Sequence, residues 1–128
     1  MDNASNQDII ASDKRKYIRL KKILPIQFTI VRLQGDLPGI DWENGETRDV
    51  SSGGLCLETK TLSDSTIRFL NQHNIYLDLR ISTALKEIIK SVAEVAWYEK
   101  IDNKNAHYYR IGLKFRSIAA SDLNKIIG

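Results

Sequence analysis

Cysteine is nearly absent: Cys56 is the single one in 128 residues, so no internal disulfide can form, and a reducing compartment is expected. It lies between Leu55 and Leu57 in a strand-like run, the setting of a packed thiol and not of a nucleophile. Only two histidines occur, His73 and His107, far apart and expected in a loop and a turn; with one cysteine they offer no metal-ligand spacing. No apolar run approaches the roughly 20 residues that cross a bilayer, so membrane insertion is not expected. The start, Met1 to Asp8, lacks the positive and apolar regions of a signal peptide, and a cytoplasmic location is expected. Charge of one sign is scarce too. The net charge is +3, acids nearly balance bases outside one cluster, and the broad basic face of a nucleic-acid-binding domain is missing.

What remains, 42% hydrophobic and 27% charged residues, suits one domain with a single core. Residues 1–13 are polar without sustained period and read as a flexible tail, leaving 14–128 as the domain. Lys14 to Lys22 holds six basic residues and no acid, a basic arm that would order on a multiply charged anion.

After Pro25, the apolar Ile26, Phe28 and Ile30 alternate with polar residues, the mark of a half-buried strand. Residues 34–47 are rich in glycine, with Pro38 and Asn44, and read as a loop with Trp42 folding back as a lid on the core. Leu55 to Thr59, Ile75 to Ile81 and Tyr109 to Arg116 also read as strands. Ser63-Asp64-Ser65 caps a short helix within 62–72, and a C-terminal helix begins near Ser121. Leu85 to Trp97 is ambiguous: Leu85, Ile88, Ile89, Val92, Val95 and Ala96 form a helical stripe. Alternating strands, glycine turns and a closing helix are best buried in a small antiparallel barrel, which leaves no open edge.

Two short patterns carry the chemistry. Arg15 and Arg19 stand as R-x-x-x-R; Asp49, Ser51 and Gly54 stand as D-x-S-x-x-G. In order, with an apolar strand between them, Gly-Gly-Leu at 53–55, a strand ending in Trp97 and Gly112-x-x-Phe115, they resemble the PilZ family, bacterial domains that bind cyclic di-GMP. The resemblance covers about Lys14 to Ile127. It implies a six-stranded antiparallel β-barrel with a C-terminal α-helix, and a strand across 85–97 with Ile89, Ser91, Ala93, Val95 and Trp97 on one face.

The resemblance also implies a ligand site of Arg15, Arg19, Asp49, Ser51 and Gly54, with Lys14 as an added cation favouring a ligand pair. Arginine suits it because the planar fork bonds phosphate bidentately and stacks on purines. A carboxylate matches the two donors of guanine's Watson-Crick edge, Ser51 adds a hydroxyl, and Gly54 leaves room beside the backbone. Asp49 and Ser51 lack an evident base and oxyanion device, so no catalysis and no cofactor are expected. With no second domain in the sequence, the output would act through an unidentified downstream protein or a changed oligomeric state. A nucleic-acid-binding barrel with Tyr17, Trp42 or Tyr108 as stacking platforms, and a protein-binding adaptor, are the competing readings.

Overall fold

The computed structural model describes residues 19–31, 42–72 and 74–127. Among these residues seven strands and two helices follow one another: β1 (Leu20–Lys21), β2 (Pro25–Val31), β3 (Glu43–Val50), β4 (Gly54–Thr59), α1 (Asp64–Leu70), β5 (Tyr76–Ser82), β6 (Ile88–Asp102), β7 (His107–Ser117) and α2 (Ala120–Ile127). All pairings are antiparallel. The order β3-β2-β5-β6-β7-β4 closes through β3–β4 into the expected six-stranded barrel. β2 pairs with Glu43–Glu46 and then ends, and β1 takes over the same edge, pairing Leu20 with Val50 and Lys21 with Asp49.

Period-two alternation puts Ile26, Phe28, Leu77, Leu79, Ile81, Ile111 and Leu113 inside, all at most 4% exposed. Each side chain so buried contributes about 1.5–3 kcal/mol. Ile126, on α2, is completely buried in the same cluster, so the C-terminal helix closes the core. α1 starts where Ser63 accepts the Thr66 N–H at 3.2 Å, the expected cap. α2 starts at Ala120, one residue before the expected Ser121. No helix among the described residues is long and apolar enough to cross a membrane.

Several expectations are corrected. Residues 88–102 are one long strand that runs past Trp97, and the inner face holds Ile89, Ser91 and Ala93 but not Trp97, which is 44% exposed. The reason is a register shift between Val95 and Trp97, which turns the following side chains over. The expected loop 34–47 ends early, because Glu43 already pairs with Phe28. Trp42 is not a core lid: it is 37% exposed, with the Arg80 guanidinium 4.1 Å above its ring. His107 is the first residue of β7, paired with Asp102 across the hairpin, and not a turn residue. Of the arm 14–22, residues 14–18 lie outside the described residues, as do the tail 1–13 and His73, while Leu20–Lys21 is strand.

Candidate functional site

The two sequence patterns meet at the end of β3. Thr47, 1% exposed, ties the incoming chain down: its hydroxyl donates to the Lys22 carbonyl and accepts the Leu24 N–H at 2.8 Å. Lys22 N–H in turn donates to the Arg48 carbonyl at 3.3 Å. The β3–β4 register shifts between Thr47 and Asp49, and such a bulge re-aims a side chain. Asp49 accordingly meets Arg19, whose Nη1 lies 2.8 Å from Oδ1, with both side chains partly open to solvent. Arg15 and Lys14 lie outside the described residues.

Ser51 and Gly54 hold the next turn. Ser51 is 4% exposed; its hydroxyl donates to the Gly54 carbonyl at 3.3 Å and accepts the Gly53 N–H at 3.2 Å. Its own N–H reaches the Gly54 carbonyl at 2.8 Å, and the Phe115 N–H fixes the Gly53 carbonyl at 2.9 Å. Gly54 is required by packing: a Cβ there would stand 1.9 Å from the Leu113 carbonyl oxygen of β7. Of this motif, then, Asp49 presents its side chain outward, while Ser51 and Gly54 are built into the frame beneath it.

Register extends the site across the sheet. Asp49 pairs with Cys56, Cys56 with Gly112, and Gly112 with Trp97. Residues directly opposite in an antiparallel ladder project to one face, so these four share the outside of the barrel. The Trp97 indole covers Gly112, where a Cβ would come within 2.2 Å of two of its atoms. The indole therefore leans along the row, over the gap left by the glycine. Sequence reasoning missed Trp97 as a surface residue; the available signal was a glycine facing an aromatic across a hairpin. Between them Cys56 is buried, and that burial, with the nearby Asp49 and Glu58 carboxylates, pushes its thiol up to about 11.

One row further, Glu58 accepts from Arg110 Nε at 2.8 Å and from Arg48 Nη1 at 3.4 Å. The hydrogen bond to Glu58 raises the Arg110 pKa, and Arg110 also donates to the Tyr108 hydroxyl at 3.0 Å. Arg48 and Arg110 thus share the Glu58 carboxylate, and Arg110 also lies 3.9 Å from Glu99. Among the described residues no group of three histidine, cysteine or carboxylate side chains is placed to hold a metal. What the geometry offers is a partly exposed arginine–carboxylate pair in the same cross-strand row as a half-exposed indole.

The PilZ domain family model matches residues 13–128. Among solved structures, the chain is similar to the inhibitor of motility MotI/DgrA of Bacillus subtilis, with TM-score 0.61 and 19% identity over 90% of this chain and 48% of that one. It is similar to apo MrkH of K. pneumonia, with TM-score 0.64 and 23% identity over 90% and 48%. It is also similar to the PilZ domain of YcgR from Escherichia coli, a structure with c-di-GMP, with TM-score 0.63 and 14% identity over 90% and 87%. The chain thus spans about half the length of the first two and most of the third. No curated protein sequence matches it significantly.

Proposed function

The chain belongs to the PilZ domain family, and from that premise we propose that it is a non-catalytic receptor for cyclic di-GMP. The observation that carries the reading is the Arg19–Asp49 pair, which brings the two halves of the motif together on an open strand end. The YcgR domain, with c-di-GMP bound, supports it by likeness of fold.

In the free protein Arg19 and Asp49 neutralise each other. On binding, the Arg19 fork turns to a ligand phosphate, joined by Arg15, and the Asp49 carboxylate accepts N1–H and the exocyclic amine of a guanine. Arg19 exchanges a carboxylate for a phosphate and Asp49 exchanges a guanidinium for two neutral N–H donors, so neither is left desolvated without hydrogen bonds. Ser51 and Gly54 act as positioning residues, because the turn already uses the hydroxyl and the strand contact leaves no room for a side chain. Trp97 supplies a flat apolar wall for a base in the same row. Lys14 adds a cation that favours an intercalated ligand pair.

Signalling follows from chain order. β1 already zips Leu20–Lys21 onto β3, so ligand contacts to Arg15 and Arg19 fix the residues just before it. Arm, barrel and ligand then form one surface for a downstream protein. Calorimetric titration with cyclic di-GMP, with GTP and a linear diguanylate as controls, tests the receptor reading. Saturable heat with the cyclic ligand alone, lost in Arg19→Ala and Asp49→Ala, is expected. No heat, and no rise in melting temperature at large ligand excess, overturns it.

A further inference from the structure

The β5–β6 hairpin carries a second surface that the ligand site does not use. Its turn is held rigidly: the Thr83 N–H donates to the Glu87 carbonyl and the Lys86 N–H to the Thr83 carbonyl, both at 2.9 Å. The Glu87 N–H reaches the Thr83 hydroxyl at 3.1 Å, and Lys86 takes a left-handed φ of 65°. The turn so fixed holds Leu85 out in solvent, 83% exposed, and Ile88 beside it at 54%. Ile26 pairs with Ile81 and Ile81 with Ile89, so Ile23, three residues before Ile26 and 70% exposed, projects at the same end of the barrel. Isolated exposed apolar side chains are ordinary; three at one end of a small domain are not.

Cations surround them. Arg80 stands directly opposite Lys90 on β5–β6, an arrangement of like charges that destabilises a sheet unless an anion lies over it. Lys86 adjoins Leu85 in the turn, and Lys22 adjoins Ile23. None of these four pairs with a carboxylate of the described residues. The acid of the turn, Glu87, is taken by Lys125 at 3.0 Å, and Glu94 on β6 is engaged with Arg116 at 3.5 Å. Asp78, one row further along β5, and Asp122 of α2, which borders the same cleft as Arg80 and Lys90, are the acids left near this face; four cations outweigh the two.

We propose that this end of the barrel is a peripheral docking surface for an anionic lipid bilayer. Leu85 and Ile88 enter the headgroup region while Lys22, Arg80, Lys86 and Lys90 meet lipid phosphates. A bilayer fits better than a shaped protein partner for a geometric reason. Ile23, Leu85 and Ile88 line neither the cleft of about 410 Å³, which Arg80 and Lys90 border, nor that of about 570 Å³, and project as separate points. A fluid surface accommodates such points one by one, and scattered basic residues add to the attraction to anionic headgroups.

Cosedimentation of the full chain with vesicles tests this without any cyclic di-GMP, so its outcome is separate from the receptor reading. The probes are phosphatidylcholine vesicles with and without phosphatidylglycerol. The chain is expected to sediment with the anionic vesicles alone and to be released by salt. Leu85→Ser with Ile88→Ser should lower partitioning about tenfold or more, and Lys86→Glu with Lys90→Glu at least as much. All four positions are exposed, so unchanged melting curves will certify the fold of the variants. No sedimentation with anionic vesicles overturns the proposal. So does wild-type partitioning by Leu85→Ser with Ile88→Ser, which would assign binding to the N-terminal basic residues. A dimer in sedimentation velocity that the same variant dissociates would assign the hairpin to a second copy and equally overturn it.

Discussion

Arg19 and Asp49 lie 30 residues apart in sequence and 2.8 Å apart in space, the guanidinium closing on the carboxylate at the rim of the barrel. The pair is partly exposed, 29% and 22%, and such pairs contribute no more than about 1 kcal/mol to stability. In the receptor reading proposed above, the same two groups have far more to do with a charged ligand. Arg19→Ala and Asp49→Asn are therefore expected to move the melting temperature by only about 2–6 °C while weakening cyclic di-GMP by about tenfold or more. Thermal denaturation beside calorimetry separates the two effects. A variant that loses stability and affinity in proportion would show the pair to be a structural clamp.

Trp97 gives an optical reading of the same site. Its indole lies over Gly112 in the row of Asp49, whereas Trp42 lies under Arg80. A base stacking on the site should change emission in the protein and in Trp42→Phe, and leave it unchanged in Trp97→Phe. Gly112→Ala puts a methyl where the indole rests, so it should displace the ring and weaken binding about fivefold or more, base stacking being worth about 1–3 kcal/mol. A ligand-dependent signal that follows Trp42 would place the base elsewhere.

How much of this was legible in the sequence depends on whether burial or geometry decided the matter. β2, β5 and β7 could be read because one face is wet and one dry, so Ile26, Leu77 and Ile111 announce their neighbours. The stretch 85–97 misleads for a physical reason. A register shift at Val95/Trp97, with its extra residue on this strand, breaks the period of two, and the exposed Leu85 and Ile88 complete a helical stripe that no helix buries. Glu43 to Glu46 reads as loop because its polar side chains carry no alternation, yet backbone pairing with β2 along its length, joined by β4 at Glu46, makes it strand. The residue types of the site, Arg19 and Asp49, were visible as a motif. That Ser51 turns inward, and that Trp97 stands level with Asp49, follows from register, which local composition does not encode.

Cys56 supplies a pH test. Burial raises its thiol from the ordinary 9.0 to about 11, so the folded state holds the proton more tightly than the unfolded chain. The stabilisation from keeping the thiol neutral is fully present below pH 9 and is lost as pH rises through 11. In the folded protein, alkylation by iodoacetamide at pH 8 should be at least tenfold slower than in denaturant. Cys56→Ala should flatten the fall in stability between pH 9 and 11. Rapid alkylation at pH 8 without unfolding would mean that the row around Asp49 opens readily.

Thr47 is where fold and site can be pulled apart. Its hydroxyl donates to the Lys22 carbonyl and accepts the Leu24 N–H, so one buried side chain latches the entering chain to β3. Thr47→Val keeps the shape and removes both bonds, leaving a buried N–H without that partner, at about 1–3 kcal/mol. The barrel strands do not depend on this latch, but β1 does, and β1 sets where Arg19 stands relative to Asp49. The variant is thus expected to remain folded, to exchange the amide protons of Lys22 and Leu24 faster, and to bind cyclic di-GMP about three- to tenfold more weakly, although the residue touches no ligand. Hydrogen exchange and calorimetry on one sample check it. Wild-type affinity despite faster exchange would mean that the ligand itself positions Arg19, and that the latch serves stability alone.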